Sequence, residues 1–151
     1  MGFIKYLLLA VFLLAGCTRV FGQEDIPTPE QVRENIRKAE QGNAEAQSVL
    51  GLMYSLGLGV SQDSQEAVKW YRRAAEQGYA DAQFRLGVMY YFGEGVPKDH
   101  VLAYKWFNLS ADQGNKNAAE LRDVLATEMT PSQIAEAQKL SREFKPKKEK
   151  P

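Results

Sequence analysis

A four-residue block that occurs three times constrains the fold of this chain more than any other feature. Residues 39–42 read Ala-Glu-Gln-Gly, residues 75–78 repeat the block, and residues 111–114 read Ala-Asp-Gln-Gly. Successive copies therefore begin 36 residues apart. A fixed period of roughly 20–50 residues is typical of proteins built from stacked repeats. We expect the chain to fold as a row of similar units.

The stretches between these blocks also match position by position. Small, glycine and aromatic residues keep their places, which predicts that they form the contacts common to all units. The matched residues are Ala46, Leu50, Gly51, Met53, Tyr54, Gly57, Gly59, Val60, Asp63, Ala67, Lys69 and Trp70 in the first unit, and Ala82, Leu86, Gly87, Met89, Tyr90, Gly93, Gly95, Val96, Asp99, Ala103, Lys105 and Trp106 in the second.

Each unit has the pattern of two antiparallel helices. The first unit predicts a helix over about residues 44–56, capped by Asn43, and a second helix capped by Asp63. Both helices carry apolar residues at i, i+4 and i+7. A Gly-x-Gly turn ends the first helix. Because Trp70 and Trp106 recur beside alanines, we expect them in the core rather than as stacking platforms for a ligand.

The two ends of the row are expected to differ from its middle. Residues 28–31 and 130–133 both begin with Thr-Pro and place a glutamine at the third helical position, a pattern typical of a capped helix start. They predict an opening and a closing helix, since a stack of repeats needs caps at its ends. The expected repeat domain covers 28–144, with units at about 39–74 and 75–110, a partial unit at 111–144, and a disordered basic tail at 145–151.

The N-terminal segment has the pattern of an export signal. Lys5 precedes ten apolar residues at 6–15. This run is too short to span a bilayer core of about 30 Å as a helix and is typical of the apolar region of a secretory signal. Cys17 follows and is the only cysteine, so an exported form of the chain has no internal disulfide.

Residues 14–17, Leu-Ala-Gly-Cys, resemble the lipobox of bacterial lipoproteins. The resemblance implies that residues 1–16 are a signal peptide, that Cys17 is lipidated, and that residues 17–27 form a tether. In Gram-negative lipoproteins the residue after the lipidated cysteine governs sorting. Because Thr18 is not an aspartate, the resemblance also implies the periplasmic side of the outer membrane. The alternative is a soluble periplasmic or secreted protein that is cleaved after Gly22.

The repeated unit as a whole resembles the Sel-one-like repeat, a relative of the tetratricopeptide repeat. The patterns are Gly-x-Ala-x-Ala-Gln-x-x-Leu-Gly-x-Met-Tyr, Gly-x-Gly-Val and Ala-x-x-Trp-Tyr-x-x-Ala-Ala-Glu-Gln-Gly over residues 39–114, and part of the unit continues to about Phe144. The resemblance implies an all-α, right-handed α-solenoid of about seven helices that holds other proteins. One secreted subgroup carries a cysteine pair in each unit. This chain lacks those cysteines, so activities of that subgroup are not carried over.

Charge and residue pattern argue against nucleic-acid binding and catalysis. The 19 basic residues balance 19 acidic ones, and the part between leader and tail is mildly acidic, which repels phosphates. No nucleophile has a recognisable base and orienting partner. His100, the only histidine, lacks a ligand cluster, and we expect it on the surface. The glycine turns follow helices, unlike phosphate-binding loops. We expect no catalytic residue, no metal and no cofactor.

The candidate partner site lies where the two units differ. The second unit carries Phe84, Val88 and Tyr91 where the first has two serines and a leucine. Their i, i+4, i+7 spacing places them on one side of a helix. These residues are a candidate groove, edged by Asp81 and Arg85, for a protein or peptide. The alternative is that the three apolar side chains pack against an adjacent helix.

These features predict a non-enzymatic interaction module, a scaffold or adaptor of the bacterial cell envelope. Its expected partners are a protein or peptide in the groove and a membrane reached through the lipid anchor, with no nucleic acid. Two alternatives remain: a structural envelope lipoprotein without a specific ligand, and an enzyme that acts on cell-wall or antibiotic substrates.

Overall fold

The computed structural model of the protein describes residues 26–149. The predicted signal peptide, Cys17 and most of the predicted tether lie outside the described residues. Within them the chain forms seven helices and no strand. The helices are α1 (Pro29–Glu40), α2 (Ala44–Leu56), α3 (Ser64–Glu76), α4 (Ala80–Phe92), α5 (His100–Asp112), α6 (Lys116–Ala126) and α7 (Pro131–Glu143).

Polar caps define where most helices begin. The Thr28 and Thr130 hydroxyls accept hydrogen bonds from the backbone N–H three residues later, and the glutamine side chain there accepts one in return, as predicted. Asn43 and Asn115 cap α2 and α6 with one bond each, which the side chain accepts from the backbone N–H three residues later. Tyr79 holds the equivalent position before α4 and makes no side-chain cap. The capping chemistry of the repeat is therefore lost at one site, where Tyr79 is half-buried instead.

Consecutive helices pack in chain order from α1 to α6, and α7 folds back onto α5. This arrangement confirms the predicted all-α solenoid of helix pairs. The buried apolar residues form two clusters. A small one joins α1 and α2, and a larger one runs from α3 to α7. The first helices of the two full repeats are α2 and α4, and each leaves part of its surface exposed.

A glycine in the first helix of each pair gives the next helix room to approach. A Cβ atom on Gly51 would lie 2.7 Å from the Tyr71 ring, and one on Gly87 would lie 2.7 Å from the Phe107 ring. Both rings are buried. The glycine and the aromatic residue therefore recur together because the aromatic ring occupies the space that a side chain would need.

Two buried glutamines connect successive units. Gln47 Nε2 donates to the Ala39 carbonyl at 3.0 Å, and its side-chain oxygen accepts from Gln77 Nε2 at 2.8 Å. The bonds satisfy a polar side chain that would otherwise be costly to bury. The second unit repeats the arrangement with Gln83, Ala75 and Gln113 at 3.2 and 2.7 Å.

The two tryptophans differ in burial although they occupy equivalent positions. Trp106 is buried, as predicted, and the Phe144 ring lies edge-on at 5.7 Å between ring centroids. Trp70 packs on the small cluster but is only half-buried. The Arg73 guanidinium lies 4.6 Å from its ring centroid. A cation lies over each tryptophan, Arg73 over Trp70 and Lys105 Nζ at 4.2 Å over Trp106, but Phe144 covers only Trp106.

The C-terminal tail differs from the prediction. Residues 145–149 follow a defined path along the repeats, whereas the sequence predicts disorder over 145–151. The Lys147 N–H donates to the Glu76 carbonyl at 2.8 Å. The Glu149 carboxylate pairs with Arg73. The prediction rested on the charge of the segment, but these bonds use its backbone and its one acidic side chain.

Candidate partner-binding surface

The predicted stripe lies on α4 and is half-buried along its whole length. Phe84, Val88 and Tyr91 all pack against the larger core cluster while keeping part of their surface exposed. Helical geometry places them on one side of α4, as the spacing predicted. The structure thus brings the three side chains together, with different surroundings for each.

Phe84 faces neighbouring helices. Its ring centroid lies 6.1 Å from that of Phe107, with the planes tilted by 42°. Ser48 holds the equivalent position in α2, where it is buried and donates to Asp81 of the following first helix at 3.0 Å. Ser48 therefore faces the next unit, whereas Phe84 packs on Phe107 of its own helix pair, so in both units this position contacts an adjacent helix.

Tyr91 reaches the third unit. Its hydroxyl donates to Glu128, after α6, at 2.9 Å. Its ring stacks on His100 at 5.7 Å between centroids, and Lys98 Nζ lies 5.6 Å from the ring centroid. The sequence predicts an exposed His100, but the side chain is half-buried. Its Nε2 is buried and has no hydrogen-bond partner among the described residues. The Tyr91 ring explains this burial, because it covers the imidazole.

The predicted polar edge is an ion pair. Arg85 Nε lies 2.8 Å from Asp81 Oδ2, four residues earlier on the same helix. The Asp81 side chain is 46% exposed and the Arg85 side chain is 25% exposed. Burial raises the pKa of the nearby Tyr79 phenol, with smaller contributions from Glu45 and Asp81. The edge therefore presents a carboxylate to solvent beside a guanidinium that also serves the fold.

The most exposed apolar side chains of this surface were not predicted. Val49, Leu56 and Phe92 are 41%, 40% and 43% exposed. Leu56 and Phe92 are the last residues of α2 and α4 and stand 36 residues apart. On α4 the exposed Phe92 lies one turn after the half-buried Val88, a residue of the predicted stripe. The signal in the sequence is a large apolar residue at the same place of both units, just before the glycine turn.

The described part of the chain gives no support for a metal-binding site. No group of three or more histidine, cysteine, aspartate or glutamate side chains between residues 26 and 149 is placed to hold a metal ion.

None of the seven described helices is both long enough and apolar enough to cross a bilayer.

A row of helix pairs with an exposed apolar line on its first helices defines a repeat scaffold of the tetratricopeptide-like class. The family model described as Sel1 repeat matches residues 44–79 and 80–115. The chain belongs to the Sel1 repeat family. Proteins of this family are generally non-enzymatic scaffolds that bind protein partners.

Two solved structures show the same relationship. The Sel1 repeat protein from Oxalobacter formigenes is 42% identical, with 62% of this chain and 71% of that chain covered and a TM-score of 0.61. The protective antigen c5321 of uropathogenic Escherichia coli strains displays an SLR fold and is 35% identical, with 86% of this chain covered and a TM-score of 0.76. This chain spans only 28% of the length of c5321. Among curated proteins, none matches the chain.

Proposed function

We propose that this protein is an envelope-anchored scaffold that binds a protein or peptide along the exposed sides of its first helices. The observation that carries the proposal is the apolar line formed by Val49 and Leu56 on α2 and by Val88 and Phe92 on α4. Large apolar side chains that stay exposed on successive repeats, here Val49, Leu56 and Phe92, are typical of interaction surfaces. Their repetition along the stack suits an elongated ligand.

The predicted groove residues have distinct roles in this proposal. Val88 and Phe92 contact the apolar side of the partner, whereas Phe84 and Tyr91 support them from the unit boundary. Asp81 and Arg85 form a polar edge that fixes the register of the partner by hydrogen bonds. The occupant with this chemistry is an amphipathic helix or an extended peptide with spaced apolar anchors.

Crosslinked capture from intact cells with the full chain as bait tests the groove. We expect one partner that is enriched by the wild type and lost with Leu56→Ser and Phe92→Ser, because these changes remove apolar contact without removing core residues. Phe84→Ala and Tyr91→Ala test the supporting residues, with thermal melting to detect any loss of stability. Gln138→Ala, an exposed change on α7, is the matched control. A partner set unchanged by all four variants would favour the structural lipoprotein without a specific ligand.

We further propose that Cys17 carries the lipid anchor and that the mature protein faces the periplasm from the outer membrane. The support is the Leu-Ala-Gly-Cys sequence at 14–17 after an apolar run. Cys17→Ser should abolish both labelling with a fatty acid and retention in the membrane fraction. Labelling that persists in this variant would contradict the proposal.

Sequencing the mature N-terminus separates the two cleavage alternatives. Cleavage before Cys17 leaves a blocked, lipidated residue, whereas cleavage after Gly22 leaves a free N-terminus at Gln23. The enzyme alternative is tested by incubating the purified full chain with cell-wall fragments and β-lactams, for which we expect no turnover.

A further inference from the structure

The C-terminal tail lies on a surface formed by the boundaries between units. The surface, called the ledge below, consists of Gly42, Gln47, Arg73, the Glu76 carbonyl and Gly78. Residues 146–149 cross it from the second unit boundary toward the first. The ledge is separate from the groove on the first helices, and the inference drawn from it does not depend on the proposed function.

The backbone of the tail satisfies the end of a helix. The Lys147 N–H donates to the carbonyl of Glu76, the last residue of α3, at 2.8 Å. Carbonyl groups in the last turn of a helix lack partners within the helix, so an extended segment can bind them through its backbone. Pro146 lies against Gly78, where an added Cβ would be 3.3 Å from its Cγ. The hydrogen bond from the Lys147 N–H requires neither a particular side chain nor a covalent link to this chain.

The acidic side chain of the tail has a polar pocket of its own. Arg73 donates from Nε and Nη2 to the two oxygens of the Glu149 carboxylate, at 2.9 and 2.6 Å. Gln47 Nε2 donates to Oε2 at 2.8 Å. A guanidinium that binds both oxygens of one carboxylate selects for charge and geometry together. These bonds, that to Arg73 first, lower the pKa of Glu149.

The pocket is built at one boundary only. Leu109 occupies the position in the second unit that Arg73 occupies in the first, so no guanidinium is available there. A Cβ added at Gly114, the third glycine of the series, would meet nothing within 4 Å, whereas one at Gly42 would lie 3.0 Å from the Glu149 Cβ. Arginine also stands 36 residues earlier, at Arg37, so the second unit, with Leu109, is the one that departs from the repeat.

We propose that the ledge is a binding site for an extended segment of a partner protein, one that places a carboxylate side chain two residues after a free main-chain N–H. The tail of this chain is its resident ligand and can be displaced. The Arg73 and Glu149 side chains remain 39% and 28% exposed, and residues 145–148 are exposed as well. The resident contact is therefore small, and a partner segment with more contacts replaces it.

The test uses the full chain with Glu149→Ala, which frees Arg73 and Gln47, and a synthetic peptide with the sequence of residues 144–151 as the probe. The response is read by NMR from the Gln47 side-chain amide and the Gly42 and Gly78 backbone amides. We expect saturable shifts with the Glu149→Ala protein and weaker binding to the wild type, in which the tail competes. A peptide with glutamine in place of the glutamate should bind roughly tenfold more weakly, because it loses a charge-assisted pair.

Variants of Arg73 show whether its guanidinium, which donates to both carboxylate oxygens through Nε and Nη2, determines the affinity for the peptide. Arg73→Leu, which introduces the residue found at position 109, should abolish the shifts in the Glu149→Ala background. Arg73→Lys, which keeps the charge but loses the planar fork, should retain only part of the affinity. Unchanged binding in both variants would overturn the proposal. Circular dichroism confirms that each variant stays folded.

Two other outcomes assign the ledge to this chain alone. Absence of shifts at peptide concentrations of the order of millimolar, which match the effective concentration of a tethered tail, would make the contact purely intramolecular. A concentration-dependent wild-type dimer that Glu149→Ala dissociates would place the tail of a second copy on the ledge. Either result overturns a separate partner.

Discussion

Arg73 and Glu149 are 76 residues apart in the chain and are joined by two hydrogen bonds of 2.9 and 2.6 Å. Arg73 lies in the last turn of α3, in the first unit, while Glu149 lies beyond α7. The pair therefore attaches the end of the chain to its first repeat.

Glu149→Gln should release the tail while leaving the helices intact. The variant keeps the size of the side chain but loses the ion pair, and partly exposed pairs contribute about 0.2–1 kcal/mol to the free energy of unfolding. Hydrogen exchange should show faster exchange of the Lys147 amide, with the helical amides unchanged. Lys148→Gln, which changes an exposed side chain of the same segment, is the control and should leave Lys147 protected.

Acid should release the tail in the same way. The hydrogen bonds from Arg73 and Gln47 lower the pKa of Glu149 in the folded protein. Their stabilising effect is fully present above the ordinary glutamate pKa of about 4.3 and is lost as the pH falls through the lowered value. The difference in unfolding free energy between wild type and Glu149→Gln should therefore shrink below about pH 4.3.

The comparison with Glu149→Gln removes the other carboxylates from this measurement. Glu34, whose pKa is lowered to about 2 by its hydrogen bond with Arg37, titrates in both proteins and cancels. A difference that stays constant down to acid unfolding would show that Glu149 is not the titrating group.

Gly87→Ala should destabilise the protein although alanine favours helices. The new methyl group would lie 2.7 Å from the buried Phe107 ring, and overpacking of this kind costs about 1–3 kcal/mol. This exceeds the gain in helix propensity of about 1 kcal/mol, so the melting temperature should fall. Gln138→Ala on the exposed side of α7 is the matched control. A higher melting temperature for Gly87→Ala would mean that α5 can move away without cost.

Gln83→Ala should cost more than Gln113→Ala. The first change removes two hydrogen bonds of about 1 kcal/mol each and leaves a void at a buried position. The second removes the exposed outer member of the pair but leaves the buried Gln83 oxygen without its donor, so it should cost about 1 kcal/mol. Urea unfolding of both variants checks the ranking, and equal losses would contradict a role for the buried glutamine in joining the units.

A chain that ends at Met129 should unfold or aggregate. It lacks α7, which packs on α5 and contributes the buried Ala137, and it lacks Phe144, which covers Trp106. A chain that ends at Phe144 keeps both contacts and should melt close to the wild type. Circular dichroism and light scattering distinguish the two, and unchanged melting of the shorter chain would refute the need for a closing helix.

The positions that recur at 36 residues predicted the fold. Ala46 and Gly57 recur as Ala82 and Gly93 and specify contacts and helix ends locally, whereas the Asn43 cap recurs at Asn115 but not at Tyr79. Even the closing helix was readable, because Thr130 and Gln133 repeat the chemistry of Thr28 and Gln31. The all-α class and the helix order follow from such local signals.

The surfaces were harder to predict because they depend on small rotations and on distant partners. One residue along an α-helix turns the side chain by about 100°, so the exposed Phe92 points away from the predicted Tyr91 although it lies one turn after the predicted Val88. Trp70 and Trp106 share a position and differ in burial, since Phe144 reaches only one of them. The sequence carries no signal for the role of Arg73, because its carboxylate partner lies 76 residues away.

The contact of Glu149 with the first repeat changes the connectivity of the whole stack. In a linear array each unit touches only its nearest neighbours, and the terminal units can fray independently of one another. Here the segment after α7 returns to α3. Its Lys147 N–H donates to the Glu76 carbonyl, and its Glu149 carboxylate accepts from the Arg73 guanidinium. The tail therefore links the last helix of the array to its first unit. Local unfolding at one end removes contacts at the other end, so the fraying of the two ends is coupled.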